Sequence, residues 1–281
     1  MGTVLTRAEL LAIKDVVVPL AEEVGRWAKA ECEAHYRGQA DVNVSSKTSP
    51  GDVVTRVDYE SQRRIAEALA AAYPGFGLLG EEDGLAEFDD GAPVWVIDPI
   101  DGTHNFVRNY PAFCVSIGLV EAGESVLGAI YHAGDDTVTW AVTGAGAWRN
   151  GARLERTDDR PLSHALVSTN FTFSRPEATP QTEFFQQVAA ASAGVRASGA
   201  CCRDFCFVAD GRVDLFWQFG LSPWDVAAGM VIAREAGAVC EVWQGGDDWL
   251  RSKLAVATGT RSAVAAARVL AAELGLGDFD R

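Results

Sequence analysis

The chain has 281 residues, of which 48% are hydrophobic and 22% charged, a composition that suits a globular protein with a substantial core. Acidic residues number 39 against 24 basic ones, and the formal net charge of -15 disfavours binding along a nucleic-acid backbone. The same charge would repel an anionic substrate unless bound divalent cations reverse the field locally.

The spacing of cysteines and histidines and the N-terminal sequence restrict the kind of protein further. The six cysteines contain no C-x-x-C pair and the four histidines lack ligand spacing, so we expect reduced, buried thiols and no zinc site. The first predicted helix contains acidic residues, and the N-terminal region has no long apolar segment. We therefore expect no signal peptide and no membrane span. We therefore expect a cytoplasmic protein with no membrane partner and no nucleic-acid partner.

The N-terminal region predicts two helices separated by a polar loop. Thr6 and Glu9 match a capping box, and the first helix should end near His35. Residues 38–51 are rich in Ser, Gly and Thr, which indicates a loop or a loose hairpin. Asp58 is either the cap of the second helix or a functional acid, and the local sequence leaves both interpretations open.

A compact motif follows an acidic loop that contains Glu81. A short apolar run predicts a buried strand that ends on Asp98, where Pro99 is expected to force a turn. Asp101 comes next among the acids, and Thr103 is expected to begin a helix. Two carboxylates on such a turn suit a metal ion, and the backbone amides at the start of a helix suit an anion. This combination is typical of phosphoryl chemistry.

The rest of the chain alternates strands and helices. Gly144–Gly151 begins like a dinucleotide-binding fingerprint, but Arg149 replaces its third glycine, so turns are predicted there. Strands are predicted at residues 113–120, 126–131, 137–142, 166–169, 213–219, 239–243 and 254–257, and helices at 183–193, 200–210, 222–237 and 264–274.

This order of elements predicts two halves within one compact catalytic unit. Residues 1–160 form an N-terminal α+β half with most candidate ligands, and residues 161–281 form a C-terminal α/β half. Sheets between helix layers fit best, which is an α+β or mixed α/β architecture.

Several separated motifs occur in order along the chain: Lys47, Asp52–Thr55, Asp58, Gly80–Glu82, Trp95–Phe106 and Pro223–Gly229. Together they resemble the motifs of the inositol monophosphatase family. This is the magnesium-dependent, lithium-sensitive phosphatase superfamily that includes fructose-1,6-bisphosphatase. The resemblance implies a five-layered αβαβα sandwich, a homodimer, and a hydrolase whose substrate is a small phosphorylated metabolite, inositol monophosphate or a related sugar or polyol phosphate.

Position by position, the resemblance implies a site for two to three magnesium ions. Glu81, Asp98 and the carbonyl of Ile100 would hold the first ion. Asp98, Asp101 and Asp225 would hold the second, and Glu81 would help to hold a third, largely hydrated ion. Oxygen ligands with open positions suit magnesium, which retains several waters.

The resemblance also implies the catalytic residues. Thr103, hydrogen-bonded to Asp58, would orient and deprotonate the attacking water beside the metal ligand Glu81, and the amides of Gly102 and Thr103 would bind phosphate. Thr103 needs Asp58 as a proton acceptor because a hydroxyl alone is too weak an acid for this role.

Three candidate substrate contacts depart from the family pattern. Gln218 stands where inositol-specific members carry a glutamate that reads sugar hydroxyls, so it is either a neutral replacement or the mark of another substrate. Cys201 replaces a small residue that contacts substrate. His104 replaces the usual Thr or Lys and is either a loop residue or a substrate contact.

Other functions stay open at this stage. Histidinol phosphate, 3′-phosphoadenosine 5′-phosphate and fructose 1,6-bisphosphate are alternative substrates on the same fold, and a non-catalytic regulatory role is a further alternative. A haloacid dehalogenase type of phosphatase is disfavoured. Its nucleophilic aspartate lies two residues before its acid partner, and position 99 is proline here.

Overall fold

Two large β-sheets form the framework of the protein. The structure, a computed structural model, describes residues 4–47, 52–82, 84–89, 91–170, 179–246 and 248–277. Within these ranges the strands form an eight-stranded sheet, a five-stranded sheet and a two-stranded ribbon.

The elements of the described residues are numbered in chain order. The helices are α1 (Arg7–Tyr36), α2 (Arg56–Ala72), α3 (Thr103–Val107), α4 (Thr179–Ala191), α5 (Cys201–Ala209), α6 (Pro223–Glu235) and α7 (Arg261–Glu273). The strands are β1 (Ser45–Ser46), β2 (Val53–Val54), β3 (Gly77–Gly80), β4 (Ala86–Glu87), β5 (Val94–Asp101), β6 (Cys114–Glu121), β7 (Glu124–His132), β8 (Thr137–Val142), β9 (Gly146–Arg149), β10 (Ala152–Leu154), β11 (Leu166–Ser168), β12 (Gly194–Arg196), β13 (Leu215–Leu221), β14 (Val239–Gln244) and β15 (Leu254–Gly259).

Both large sheets are mixed. The eight-stranded sheet has the order β10-β9-β8-β7-β6-β5-β3-β4, and β3 and β5 are its parallel pair. The five-stranded sheet has the order β12-β11-β13-β15-β14, in which β11 is parallel to both of its neighbours. The parallel pair of the larger sheet matters most here, because the strand ends of that pair carry candidate ligands.

Helices and sheets alternate in five layers. α1 and α2 pack on the outer face of the eight-stranded sheet, with Val17 and Ile65 in a core shared with Ile117. α5 and α6 lie between the two sheets. α4 and α7 pack on the outer face of the five-stranded sheet, where Phe184 contacts Trp217 edge to face. The predicted α+β class and five-layered αβαβα sandwich are therefore confirmed.

Most predicted elements lie close to their predicted bounds. The capping box of Thr6 and Glu9 begins α1, which continues through Pro19 and ends at Tyr36. The loose hairpin predicted at residues 38–51 corresponds to the ribbon of β1 and β2. The eight-stranded sheet arises from the first predicted half and the five-stranded sheet from the second, and their description as two halves of one unit stays a prediction.

The structure rules out one of the two interpretations of Asp58 and corrects the prediction of turns throughout residues 144–151. Thr55, not Asp58, is the N-cap of α2, and the carboxylate of Asp58 instead accepts hydrogen bonds from the amide and hydroxyl of Thr55 at 2.9 and 2.6 Å. This reciprocal capping box satisfies more donors than a single cap does. Residues 144–151 are not all turn, because β9 pairs with both β8 and β10.

The thiols follow the prediction. All six cysteines are free, and five are buried while Cys240 is half-buried. Among the described helices, none has the length and apolar character that crossing a membrane requires.

Two glycines let α6 lie directly on the larger sheet. Gly118 and Gly128 are opposite each other in β6 and β7. A Cβ atom at Gly128 would come within 2.5 Å of the carbonyl oxygen of Ala228, and one at Gly118 within 2.8 Å of the Cβ of Ala227. Because Asp225 lies in the first turn of α6, this contact also sets the position of that acid.

We expect Gly128→Ala to displace α6. Overpacking a fitted contact costs about 1–3 kcal/mol, so the free energy of unfolding should fall by that amount or more. Urea unfolding measures this, and Gly75→Ala is the matched control because a Cβ at Gly75 meets nothing within 4 Å. An unchanged urea midpoint for Gly128→Ala would contradict the close approach of α6.

Candidate metal centre

The ends of two parallel strands bring Glu81 and Asp98 together. In the pairing of β3 with β5, Gly80 lies opposite Ile97, and the amide of Glu81 donates to the carbonyl of Ile97 at 3.2 Å. The two acids that follow these residues therefore start from neighbouring backbone positions.

A bulge in β5 turns Asp98 and Asp101 towards the same cluster. The predicted turn at Pro99 is wrong, because β5 continues to Asp101 and its register with β6 shifts between the two acids. Residues three apart in a regular strand face opposite sides of the sheet, so an irregularity is needed to bring their side chains together. Pro99 is tolerated there because a bulge needs no hydrogen bond from its nitrogen.

The start of α5 holds Asp101. This helix has no capping side chain of its own, and the amides of Cys201 and Cys202 donate to the two carboxylate oxygens of Asp101 at 3.1 and 2.8 Å. Close contact at Gly102 makes this possible. Its φ is 91°, and a Cβ there would lie 3.1 Å from the carbonyl oxygen of Gly199. Only glycine combines this backbone conformation with this proximity.

Asp225 comes from the first turn of α6. It belongs to a capping box with Ser222, whose amide donates to Asp225 Oδ2 at 2.6 Å. Oxygens of Asp98, Asp101 and Asp225 all lie within 4.8 Å of one another. The structure thus brings together the three acids that were predicted to share one metal ion.

Burial and mutual repulsion make these acids unfavourable as bare anions. Burial, and then Asp225, raise the pKa of Asp101 to about 8, and burial raises that of Asp225 to about 6. The pKa of Asp98 is also raised, by burial and then by Glu81 and Asp101. Asp98 Oδ1 is buried and has no hydrogen-bond partner among the described residues. A cation with oxygen preference would satisfy that atom and reverse all three pKa shifts, so magnesium fits these residues.

Thr103 and Asp58 form a hydrogen-bonded pair at the edge of the cluster. Thr103 Oγ1 lies 3.0 Å from Asp58 Oδ1 and 3.2 Å from the carbonyl oxygen of Ile100. Asp58 is fully buried, and burial raises its pKa to about 6 against the lowering effect of Thr55 and Thr103. The pair predicted from the sequence is therefore present.

Two residues contact Glu81 or its neighbour Glu82. Sequence reasoning missed Gln62 and placed Lys47 in a motif without a fixed role. Gln62 holds the backbone of Glu82 from both sides, accepting from its amide at 2.8 Å and donating to its carbonyl at 2.7 Å. Lys47 Nζ lies 3.0 Å from Glu81 Oε1 and 2.6 Å from Glu82 Oε1. A signal existed for Gln62, which follows Asp58 by one helical turn and therefore shares its face of α2.

A second polar network surrounds Gln218. Buried Asp204 accepts from the hydroxyls of Ser168 and Ser198, both at 2.7 Å, and from Asn170 Nδ2 at 2.8 Å. The same Asn170 nitrogen lies 3.2 Å from Gln218 Oε1. This network was not predicted, because its members come from three separate elements.

The network also connects Gln218 to the metal centre. Asn170 Oδ1 accepts from the amide of Gly199 at 2.7 Å, and Gly199 precedes the start of α5. The remaining predicted contact, His104, is exposed on α3, where Arg108 Nη1 lies 3.4 Å from its Nδ1.

Comparison with known proteins decides the family. Residues 13–274 match the inositol monophosphatase family. The chain belongs to this family. It is 41% identical over 240 residues to an inositol-1-monophosphatase of Mycobacterium bovis, covering 82% of this chain and 83% of that protein. It is 36% identical over 221 residues to the Nus factor SuhB of Vibrio cholerae, covering 77% of this chain and 82% of that protein.

A solved structure agrees with the family. The extragenic suppressor protein suhB from Bartonella henselae superimposes with a TM-score of 0.82 at 31% identity, covering 95% of this chain and all of that one. These relatives support a phosphatase, and the names of the SuhB relatives leave its individual role open.

We expect Asp98→Asn to stabilise the metal-free protein, because it removes one of several buried like charges. The thermal midpoint in EDTA should rise by about 2–4 °C, which corresponds to roughly 1 kcal/mol in a chain of this size. Magnesium should then raise the midpoint of the unsubstituted protein but not of the variant. Asp89→Asn, at an exposed acid, is the matched control. A lowered midpoint with a retained magnesium response would contradict the cation site.

Proposed function

We propose that the protein is a magnesium-dependent phosphomonoesterase for a small phosphorylated alcohol, with inositol monophosphate as the leading substrate. The observation that supports this most is the buried cluster of Asp98, Asp101 and Asp225 beside the pair of Thr103 and Asp58. The inositol-1-monophosphatase relative supports the same reaction class. A homodimer, a cytoplasmic location and inhibition by lithium belong to the proposal.

In this proposal the carboxylate and carbonyl ligands would be shared among neighbouring magnesium ions. Glu81, Asp98 and the Ile100 carbonyl would hold one magnesium ion, and Asp98, Asp101 and Asp225 another, while Glu81 also contributes to a hydrated third ion. When bound, magnesium supplies an acidified water and stabilises negative charge on the leaving oxygen.

Thr103 and Asp58 supply the path for the proton. Thr103 Oγ1 accepts a proton from the attacking water while its own proton moves along the 3.0 Å hydrogen bond to Asp58 Oδ1. Thr55 holds the other oxygen of Asp58, which keeps the carboxylate oriented. A pKa of about 6 makes Asp58 a stronger base than an ordinary aspartate and leaves it ionised at neutral pH.

The turn before α3 supplies donors for phosphate. Gly102 is the N-cap of α3, and among the described residues neither its amide nor that of Thr103 donates a hydrogen bond. Free amides at the start of a helix are a favourable site for phosphate oxygens. On the alcohol side, Cys201, Gln218 and exposed His104 are the proposed substrate contacts.

A non-catalytic role is the second candidate. The observation in its favour is the 36% identity to a protein named Nus factor SuhB. A non-catalytic role predicts that the protein folds and binds magnesium but has no phosphatase activity. Its function would then depend on a nucleic-acid or protein partner.

A panel of phosphate esters separates these possibilities. We expect magnesium-dependent phosphate release, fastest from inositol 1-phosphate, among inositol 1-phosphate, histidinol phosphate, 3′-phosphoadenosine 5′-phosphate and fructose 1,6-bisphosphate. The Asp98→Asn protein, purified in parallel, controls for contaminating phosphatases. Much faster release from another ester would replace the leading substrate, and no release from any of them would favour the non-catalytic role.

Two substitutions at Thr103 test the proton path. Thr103→Val keeps the shape and removes the hydroxyl, so kcat should fall by about 10²- to 10⁴-fold, the usual contribution of a positioned acid or base. Thr103→Ser retains the hydroxyl and should retain most of kcat. The magnesium-induced rise in thermal midpoint should be the same in both variants. Equal kcat for the Val and Ser variants would contradict the role of the hydroxyl.

A further inference from the structure

We propose that Cys201 and Cys202, together with Asp101 and Asp225, form a site for a thiophilic divalent cation of the zinc class. This site overlaps the place of the second magnesium ion. The sequence argued against a zinc site because neither histidines nor cysteines have ligand spacing. The fold changes this by bringing consecutive cysteines against a carboxylate that lies 100 residues away in the chain.

The two thiols and Asp101 lie close enough to share one ion, and Asp225 lies beside one of the thiols. Ligand atoms of Asp101, Cys201 and Cys202 all lie within 4.8 Å of one another. Cys201 Sγ lies 3.6 Å from Asp101 Oδ1 and 3.5 Å from Asp225 Oδ1. Asp101, Cys201 and Cys202 are buried, so a bound ion would be shielded from water on most sides.

These separations match the dimensions of tetrahedral zinc. With zinc–sulfur and zinc–oxygen distances of about 2.3 and 2.0 Å, sulfur and oxygen ligands of a tetrahedron lie about 3.5 Å apart. The separations from Cys201 Sγ to the two carboxylates are 3.5 and 3.6 Å. Asp101, Cys201 and Cys202 supply three of the four ligands that zinc prefers, and Asp225 Oδ1, which lies beside Cys201 Sγ, is the nearest candidate for the fourth.

The backbone leaves the carboxylates available for this role. The amides of Cys201 and Cys202 each donate to one oxygen of Asp101, and each carboxylate oxygen has a further lone pair. Asp225 uses its Oδ2 for the amide of Ser222, which leaves Oδ1 for the ion.

Magnesium and a thiophilic ion would compete for the same acids. Thiolates select soft ions over magnesium, which prefers oxygen. An ion on Cys201 and Cys202 would take Asp101 and Asp225 from the second magnesium position. The binding of such an ion follows from the geometry alone, and its inhibitory effect rests on the proposed phosphatase function.

The binding reaction has a defined proton balance. A divalent ion bound by two neutral thiols displaces both thiol protons and any proton held by its carboxyl ligands, so each ion bound releases at least two protons and no electron is transferred. Cadmium is the probe of choice, because its thiolate complexes absorb in the ultraviolet and its carboxylate complexes do not.

The test titrates Cd²⁺ into the reduced, magnesium-free protein. We expect a thiolate charge-transfer band that saturates near one ion per chain, with release of at least two protons. Cys201→Ala and Cys202→Ala should each weaken binding by more than about tenfold, since even the loss of an outer partner costs that much. Cys206→Ala, at a buried thiol on the same helix, is the matched control and should keep the band.

A parallel assay tests the inhibition. Cd²⁺ should inhibit magnesium-dependent phosphate release, with each variant compared to its own activity without Cd²⁺, and Cys202→Ala should need more than about tenfold more Cd²⁺ for the same inhibition. Absence of the band in the unsubstituted protein, or its retention in the Cys201→Ala/Cys202→Ala double variant, overturns the site. The band without any phosphatase activity would support the site and contradict the proposed function.

Discussion

The mutual repulsion of buried carboxylates is the constraint on which the centre of this structure depends. Asp98, Asp101 and Asp225 lie within one small volume, and burial together with neighbouring acids raises the pKa of each. The chain compensates for part of this cost with its own backbone. The start of α5 donates to Asp101 and the start of α6 donates to Asp225, whereas Asp98 Oδ1 has no partner within the described part of the chain. A cation would therefore complete an arrangement that the helix termini have already oriented.

The layered fold places these helix termini by allowing close backbone contacts. Glycines in β6 and β7 allow α6 to pack closely on the sheet, and Gly102 allows the start of α5 to lie beside β5. Both contacts depend on missing side chains, so their loss would move an acid without changing any ligand. The same geometry explains why Cys201 lies against Asp101 and Asp225 although none of these residues is a sequence neighbour of another.

Much of the fold could be predicted, and so could the clustering of Asp98, Asp101 and Asp225, because both depend on local patterns and on ordered motifs. Apolar periodicity located the helices and strands, and the spacing of acids around Asp98 and Asp101 indicated a metal site. The bulge at Pro99 could not be predicted, since a proline after a strand is equally compatible with a turn. The contacts of Cys201 depend on packing between distant segments, which no local pattern encodes. For Gln62 the helical spacing from Asp58 indicates the face of α2, but its partner Glu82 lies on a separate segment.

The network around Gln218 limits how that residue can contact a substrate. Asn170 must turn its nitrogen to the carboxylate of Asp204 and its oxygen to the amide of Gly199. Gln218 Oε1 then faces the Asn170 nitrogen as an acceptor, and Gln218 Nε2 has no partner among the described residues. A glutamate at this position would offer acceptors alone, whereas this glutamine offers the donors of Nε2 beside the remaining lone pair of Oε1. A substrate group bound by Gln218 Nε2 must therefore accept a hydrogen bond, and a hydroxyl in that place directs its own proton elsewhere.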